Sequence, residues 1–311
     1  MIDSISLLIP TMNRPETLRR TLQSYFSAEY VPNQVVVVDQ SSDRSVREQN
    51  ESILLQYAKT SNVKYVYQQN ASLTKARNNA LRYALNDIIV FSDDDIDVFP
   101  DTLDLVRNRM QDTSIAMIAG IDDRMQHSNS IIGYFLGTKS YLKRNIGHVT
   151  ASVLGRYPNS INGLIRTEWA MGYFFVVRKS LLEKWNITWD ERLTGYAYAE
   201  DLDFSYRYYK MAEYEGLKCI MDEKIHVVHL ASQEYRIPTQ KHTMMYVINR
   251  GYIGYKHHMG WKSYVAFNWC NLWMLIMKVL RKEAPSDMLR AMKLNRKLAR
   301  EHYETLRYGE K

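Results

Sequence analysis

Three consecutive carboxylates, Asp93-Asp94-Asp95, follow the apolar run Asp87–Phe91 with only Ser92 between. Buried unpaired charge is prohibitively costly, so acidic side chains placed where a strand ends are not core residues. Three adjacent anions repel one another unless a cation sits among them. A hard divalent ion holding a phosphate-bearing ligand supplies one, because Mg²⁺ takes one or two carboxylates together with phosphate oxygens. Taken alone, the run reads equally as an acidic surface turn. A second acidic group, Glu200-Asp201-Leu202-Asp203, opens a stretch in which Leu202, Tyr206 and Tyr209 recur at helical spacing, as do Asp203 and Arg207. Carboxylates in a first turn are also favoured by the helix dipole, whatever else they do. His226 and His229 flank Val227-Val228. Histidine is a frequent metal ligand, and a structural buried histidine is the other reading.

Positioning these groups requires a sheet. Asp87–Phe91 is short, β-branched and bounded by polar residues, which predicts a buried parallel strand. Ile5–Ile9, Gln34–Val38 and Val63–Tyr67 are runs of the same kind, and Pro15–Phe26, Arg44–Ala58 and Ser72–Leu85 between them carry helical apolar spacing. Strands alternating with such helices imply βαβ units and a parallel sheet with helices on both faces. Right-handed crossovers put the carboxyl ends of those strands on one edge, where ligands of open α/β sheets bind. That edge gathers Pro10 to Arg14, Asp39 to Ser42, Gln69-Asn70 and the triple Asp. Neither G-x-G-x-x-G nor G-x-x-x-x-G-K-S/T follows any of these strands, which argues against dinucleotide and P-loop enzymes. A phosphate here needs a metal and cationic side chains instead, and Lys75 and Arg77 on the helix after Asn70 are the candidates, unless they line a surface helix.

Length and composition set the frame. The chain has 311 residues, 46% hydrophobic, enough for one large α/β domain with an appendage or for two domains. Cys219 and Cys270 match no metal or redox spacing, which predicts a reducing, cytoplasmic compartment. The start of the chain reads as no signal peptide.

The motifs stand in a telling order. Ile9-Pro10-Thr11-x-Asn13-Arg14, Val36-Val37-Val38-Asp39-x-Ser41-Ser42, Asn70…Ala76-Arg77-Asn78 and Phe91-x-Asp93-x-Asp95-x4-Pro100 are followed by Gly172…Phe175-x-x-Arg178, then Glu200-Asp201-x-Asp203-Phe204-x-x-Arg207 and His229. From about residue 5 to 230 the chain thereby resembles the family 2 inverting glycosyltransferases of GT-A fold. The resemblance implies an α/β fold with a mixed, mainly parallel nucleotide-binding sheet flanked by helices. It implies a catalytic domain over 1–235, with a nucleotide-binding half at 1–100 and an acceptor-side half at 101–235, followed by a helical extension at 236–311. It assigns Pro10, Thr11 and Arg14 to the nucleotide and Asp39 to a pyrimidine N–H. A carboxylate selects a base with an imide proton, so UDP or dTDP is expected; Gln40 and Ser41 depart from the acidic residue and Gly often found there. It assigns Asp93 to the ribose and Arg77, Asp94 to the donor sugar, and Asp95 to Mg²⁺ or Mn²⁺, with His229 near that metal or the diphosphate. Glu200-Asp201 resembles the pair supplying the general base, with Asp201 as the base and Glu200 in support. The implied reaction transfers a sugar from a nucleotide-sugar donor to a glycan or lipid-linked acceptor. A processive synthase is disfavoured, since Gln233-x-x-Arg236-Ile237 stands where such enzymes carry Gln-x-x-Arg-Trp. The alternatives are a sugar nucleotidyltransferase, which would want a Gly-rich basic loop at Pro10–Arg14, and a silent nucleotide-sugar or glycan-binding module, which would have lost a carboxylate pair.

The acceptor side is less legible. Trp169, Tyr173, Trp189, Tyr196 and Tyr198 suit sugar stacking and core packing equally. Beyond about residue 235 the character changes, with no charge from Tyr264 to Met277 and with Trp261, Trp269 and Trp273 close together. A run of this length falls short of the ~20 apolar residues a spanning helix needs. Of the net charge of +7, the segment Lys278–Lys311 carries ten Lys/Arg against five Asp/Glu. An aromatic run flanked by cations predicts a helix in the interface of the inner membrane face, or else a helical hairpin packed on the catalytic domain or in a homodimer. The apolar run has no place in nucleic-acid binding.

Overall fold

In the first half, strands and helices form where the apolar periodicity puts them. The computed structural model describes residues 4–125, 128–195, 197–230, 238–306 and 308. The first half alternates β1 (Ile5–Thr11), α1 (Pro15–Phe26), β2 (Gln34–Asp39), α2 (Arg44–Leu55), β3 (Asn62–Tyr67), α3 (Leu73–Tyr83) and β4 (Ile88–Ser92). Next come β5 (Ile96–Val98), α4 (Thr102–Met110), β6 (Ile115–Ala119), β7 (Ile121–Asp122), α5 (Ile131–Phe135), β8 (His148–Val149), β9 (Gly155–Arg156) and β10 (Leu164–Arg166). The chain continues through β11 (Phe174–Arg178), α6 (Lys179–Trp185), α7 (Glu200–Tyr214), β12 (Lys218–Asp222) and β13 (His226–His229). Three helices follow: α8 (Thr239–Lys256), α9 (Gly260–Arg281) and α10 (Pro285–Arg300).

Eight strands form the main sheet in the order β10-β12-β6-β11-β4-β1-β2-β3. The four strands of the first half are mutually parallel, with Thr11 beside Asp39 and Leu8 beside Phe91. β11 runs antiparallel to both β4 and β6, and β10 antiparallel to β12, so the sheet is mixed. Alternation along each strand splits the core in two. Leu8, Val36, Phe91 and Phe175 face α3 and α7, while Leu7, Val35, Val90 and Phe174 face α1 and α4. A smaller sheet, β5-β13-β7, pairs His229 with Ile96 and so brings β13 alongside the triple Asp.

The three C-terminal helices join the first of these cores. Val247 and Ile248 of α8, Phe267 of α9 and Met288 and Leu298 of α10 belong to the same buried cluster as Leu8 and Phe91. A buried polar contact adds to it: Asp203 of α7 meets Lys256 Nζ at 2.8 Å and His257 Nε2 at 3.0 Å. The boundary expected at 235/236 lies outside the described residues, as do Gln233, Arg236, Ile237 and Tyr196.

Candidate active site

The end of β4 delivers the acidic run into a dense network. Asp94, 3% exposed, accepts from Thr11 Oγ1 at 2.6 Å and faces Arg14 Nη1 at 3.3 Å. Its backbone carbonyl accepts from Thr21 Oγ1 at 2.7 Å, tying the turn to α1. Burial, only partly offset by Arg14 and the Thr11 hydroxyl, pushes the Asp94 carboxyl up to about 7. Asp94 therefore fixes Thr11 and Arg14 at the edge of the crevice. Pro10 lies within β1 opposite Val38.

Asp95 and Asp93 flank it in the chain and meet other partners. Asp95 Oδ1 sits 3.3 Å from His229 Nε2, and its other oxygen lies 3.7 Å from Arg14 Nη1. Asp93, Asp95 and His229 each offer one ligand atom, and the three atoms lie within 4.8 Å of one another. Two metal–oxygen bonds of about 2.1 Å on opposite sides of an ion span about 4.2 Å, so the cluster is near the size an octahedral cation needs. Two carboxylates and an imidazole suit Mn²⁺ better than Mg²⁺, which prefers oxygen alone. The backbone N–H of His229 donates to Asp122 Oδ1 at 3.1 Å, and Tyr173 stacks on the ring at 5.3 Å, fixing its orientation. Burial pulls the imidazole down, but the Asp95 carboxylate outweighs it and leaves His229 above its ordinary value. Asp93 thus joins the metal-competent group, a neighbour the sequence reading gave to the ribose. His226 is turned elsewhere, with Nδ1 2.7 Å from Asp123 and its ring stacked on Phe99.

Arg77 couples this group to the second acidic pair. Its guanidinium, 1% exposed, donates to Asp93 Oδ1 and Glu200 Oε1, both at 2.9 Å, and to the Gly172 carbonyl at 3.0 Å. It also lies over the Trp189 ring at 4.5 Å. The sequence offered Arg77 as a phosphate ligand and as the partner of Asp93; its donors serve that carboxylate, Glu200 and the Gly172 carbonyl. Burial, then the neighbouring Asp201, pushes Glu200 up to about 8 despite Arg77. Asp201 is half-buried; each of its oxygens accepts one backbone N–H, from Gly172 at 2.8 Å and from Leu202 at 2.7 Å. Burial raises it too, against those hydrogen bonds and Arg77. The residue before the pair, Ala199, has φ 66°, and Ala197 has φ 52°. Such left-handed backbone costs about 1–3 kcal/mol per residue and concentrates at functional turns.

The base-side residues are differently placed. Asp39 is fully buried, with Oδ1 accepting from Ser41 N–H at 2.8 Å and Oδ2 from Asn50 at 2.8 Å and Tyr65 at 2.7 Å. Through these bonds it orders the loop after β2. Asn70 is exposed in the loop before α3, and Lys75 is exposed on that helix. Among the aromatics offered for stacking, Trp169, Tyr173 and Trp189 are buried core residues, Trp189 stacked on Phe204 at 4.2 Å; Tyr198 is half-buried.

Gly172 is the contributor whose role the sequence left unread. A Cβ there would lie 3.0 Å from Arg77 Nη2 and 3.1 Å from Asp201 Cβ, so a larger residue in this turn before β11 would push Arg77 and Asp201 aside by a few tenths of an ångström. Its motif position was visible, but the close approach comes from β11 lying antiparallel beside β4.

Comparisons with known proteins agree with this architecture. In solved structures, the chain is similar to residues 1–349 of S. aureus TarS, with 19% identity, a TM-score of 0.51, and coverage of 80% of this chain and 69% of that one. It is also similar to the mannosyltransferase PcManGT from Pyrobaculum calidifontis in complex with GDP-Man and Mn²⁺, at 15% identity and TM-score 0.55 over 96% and 81% of the two chains. GalNAc-T7 with UDP, GalNAc and Mn²⁺ aligns at 16% identity and TM-score 0.58 over 86% of this chain and 54% of its own. No curated protein matches by sequence. These likenesses show the GT-A fold, the mixed and mainly parallel sheet flanked by helices that the motif order implied. The model of glycosyl transferase family 2 matches residues 6–185, and with the motifs of both carboxylate groups in place the chain belongs to that family of glycosyltransferases.

Proposed function

We propose that this glycosyltransferase moves a sugar, with inversion, from a metal-bound UDP- or dTDP-linked donor to a hydroxyl of a glycan or lipid-linked acceptor. The observation that carries the reading is Arg77, which joins Asp93 of the metal-competent group to Glu200 of the second pair with contacts of 2.9 Å. Donor diphosphate and acceptor hydroxyl would then meet at one end of one sheet. Asp93, Asp95 and His229 would hold Mn²⁺ or Mg²⁺ on the diphosphate. Bound there, the ion supplies Lewis-acid neutralisation of the charge on the leaving group.

The chain's own residues have the remaining tasks. Arg14 carries positive charge to the crevice edge, held by Asp94 and Asp95. For the base, the reading uses Pro10, Thr11 and Asp39. A carboxylate has about four lone-pair sites, three of which on Asp39 are taken by the partners named above; because Asp39 is fully buried, an imide N–H reaches the fourth only when the loop after β2 moves aside. Asn70 and Lys75 are solvent-facing and serve the donor's outer edge. Asp201 is the general base: it is the more exposed of the pair and lacks the Arg77 contact that engages Glu200. It takes the acceptor hydroxyl's proton as oxygen attacks the anomeric carbon opposite the diphosphate. Glu200 supports acceptor and base. The lipid-linked reading sets the reaction at the cytoplasmic membrane face.

The test separates binding from chemistry. Asp201→Asn should keep nucleoside diphosphate affinity while transfer falls by roughly 10²-fold or more. Wild-type transfer by Asp201→Asn together with loss in Glu200→Gln would reverse the pair, and full activity in both would remove the base assignment.

A further inference from the structure

We infer that α5 and α9 together form one docking surface for an anionic lipid bilayer. The inference deepens the lipid-linked acceptor reading by naming the surface that would bring the enzyme to it. α9 buries one face through Ser263, Phe267, Cys270 and Asn271. Its other side leaves Trp261 at 72% and Leu280 at 71% exposure, and the short α5 beside it leaves Ile132 at 74% and Phe135 at 71%. The two elements are physically joined. Trp269 Nε1 donates to the Phe135 carbonyl at 2.8 Å, and a Cβ on Gly137, just past α5, would lie 3.3 Å from Cys270 Cβ. Exposed apolar side chains gathered on neighbouring elements mark an interaction site rather than ordinary surface.

Charge identifies the occupant. From Arg124 to Thr167, around α5, the chain has six Lys/Arg and no Asp/Glu, and from Tyr235 to Lys282, around α9, eight and none; of these Arg250 is buried, Lys256 is paired with Asp190 and Asp203, and Arg166 with Glu213. Lys139, Lys143 and Arg144 follow α5, while Lys278, Arg281 and Lys282 close α9. A two-fold contact between copies would set this patch against itself and bring cations to cations. A bilayer with anionic headgroups takes apolar side chains into its interface and pairs with the flanking cations. No helix among the described residues is long and apolar enough to cross a membrane, so the chain would lie on the surface through this patch. The patch is also wired to the site. Asn129, just before α5, donates to the Tyr157 carbonyl at 2.7 Å, and the Tyr157 hydroxyl accepts from Met171 N–H at 2.9 Å, beside Gly172.

The experiment is co-sedimentation of the full chain with vesicles of phosphatidylcholine alone or mixed with phosphatidylglycerol. Binding to the anionic vesicles, weakened by salt, is expected. Lys143→Ala with Arg144→Ala should weaken it by about 25-fold, at about fivefold per cation. Ile132→Ser with Phe135→Ser, both exposed, should weaken it by at least about tenfold without altering circular dichroism. Nucleoside diphosphate binding, which reports on the proposed function separately, should be unchanged in both variants. Failure of the intact chain to bind anionic vesicles at low salt, or equal binding to neutral ones, overturns the inference. So does a dimer in solution that Ile132→Ser with Phe135→Ser converts to monomer, which would assign the patch to a second copy.

Discussion

Replacing Arg77 by Ala tests whether one buried cation holds the two acidic groups together. The substitution leaves Asp93 and Glu200 without the guanidinium that each now meets at 2.9 Å, and uncovers the Trp189 ring. Removing one partner of a buried ion pair costs about 3–5 kcal/mol, because the remaining charge stays desolvated. Glu200, pushed up to about 8 by burial and Asp201, already holds its proton near neutral pH, so the charge left uncompensated is that of Asp93. We therefore expect about 3 kcal/mol in urea denaturation near neutral pH, a large share of the ~5–15 kcal/mol typical of a domain. Arg77→Lys keeps the charge but not the fork that reaches both carboxylates, and should fall between. At pH 4 the deficit should shrink, since Asp93, raised by burial and no longer held down by Arg77, takes up a proton. A loss under about 0.5 kcal/mol for Arg77→Ala, or the same loss at both pH values, would refute the coupling.

Further outcomes follow from the same geometry. Asp95→Ala should abolish Mn²⁺-dependent nucleoside diphosphate binding in calorimetry, as EDTA does to the wild type; binding that survives both would remove the metal assignment. Because Glu200 is raised from 4.5 to about 8, the native state keeps a proton that the unfolded chain loses across that window. Stability should thus fall as pH rises from about 4.5 to 8, and Glu200→Gln should flatten the dependence in denaturation midpoints. Gly172→Ala puts a Cβ 3.0 Å from Arg77 Nη2 and 3.1 Å from Asp201 Cβ. It should cost about 1–3 kcal/mol of stability and depress transfer more than donor binding. If Asp39 reads an imide N–H, UDP should compete for the site more strongly than GDP.

Local pattern made the first half legible. Runs such as Gln34–Val38 and helical pairs such as Ala76/Ala80 are dictated by burial on both faces of a parallel sheet, and the observed β2 and α3 fall there within a residue or two. The acidic clusters were visible because charge at a strand end or helix start is locally anomalous. What pattern does not encode is the direction of a side chain once tertiary neighbours compete for it. Arg77 looks inward to Asp93 and Glu200, and Asp39 is enclosed by Asn50 and Tyr65. Gly172 acquires its role from β11 inserting antiparallel between β4 and β6, a pairing no local periodicity specifies. Likewise Asp203 looked like one more first-turn acid. It is instead the buried partner of Lys256 and His257, its carboxyl held well below the usual range despite burial, and so anchors α8 against α7. The segment around α5 gave little signal because its helix is one turn long and its apolar residues face outward.

The central claim is that the two carboxylate groups act together on a metal-bound nucleotide sugar. It is tested most directly by measuring nucleoside diphosphate release from a panel of nucleotide sugars, with Mn²⁺ and with EDTA. The account predicts release from a UDP- or dTDP-sugar that requires the metal. Release indifferent to EDTA, or none from any donor with Mn²⁺ present, would contradict it.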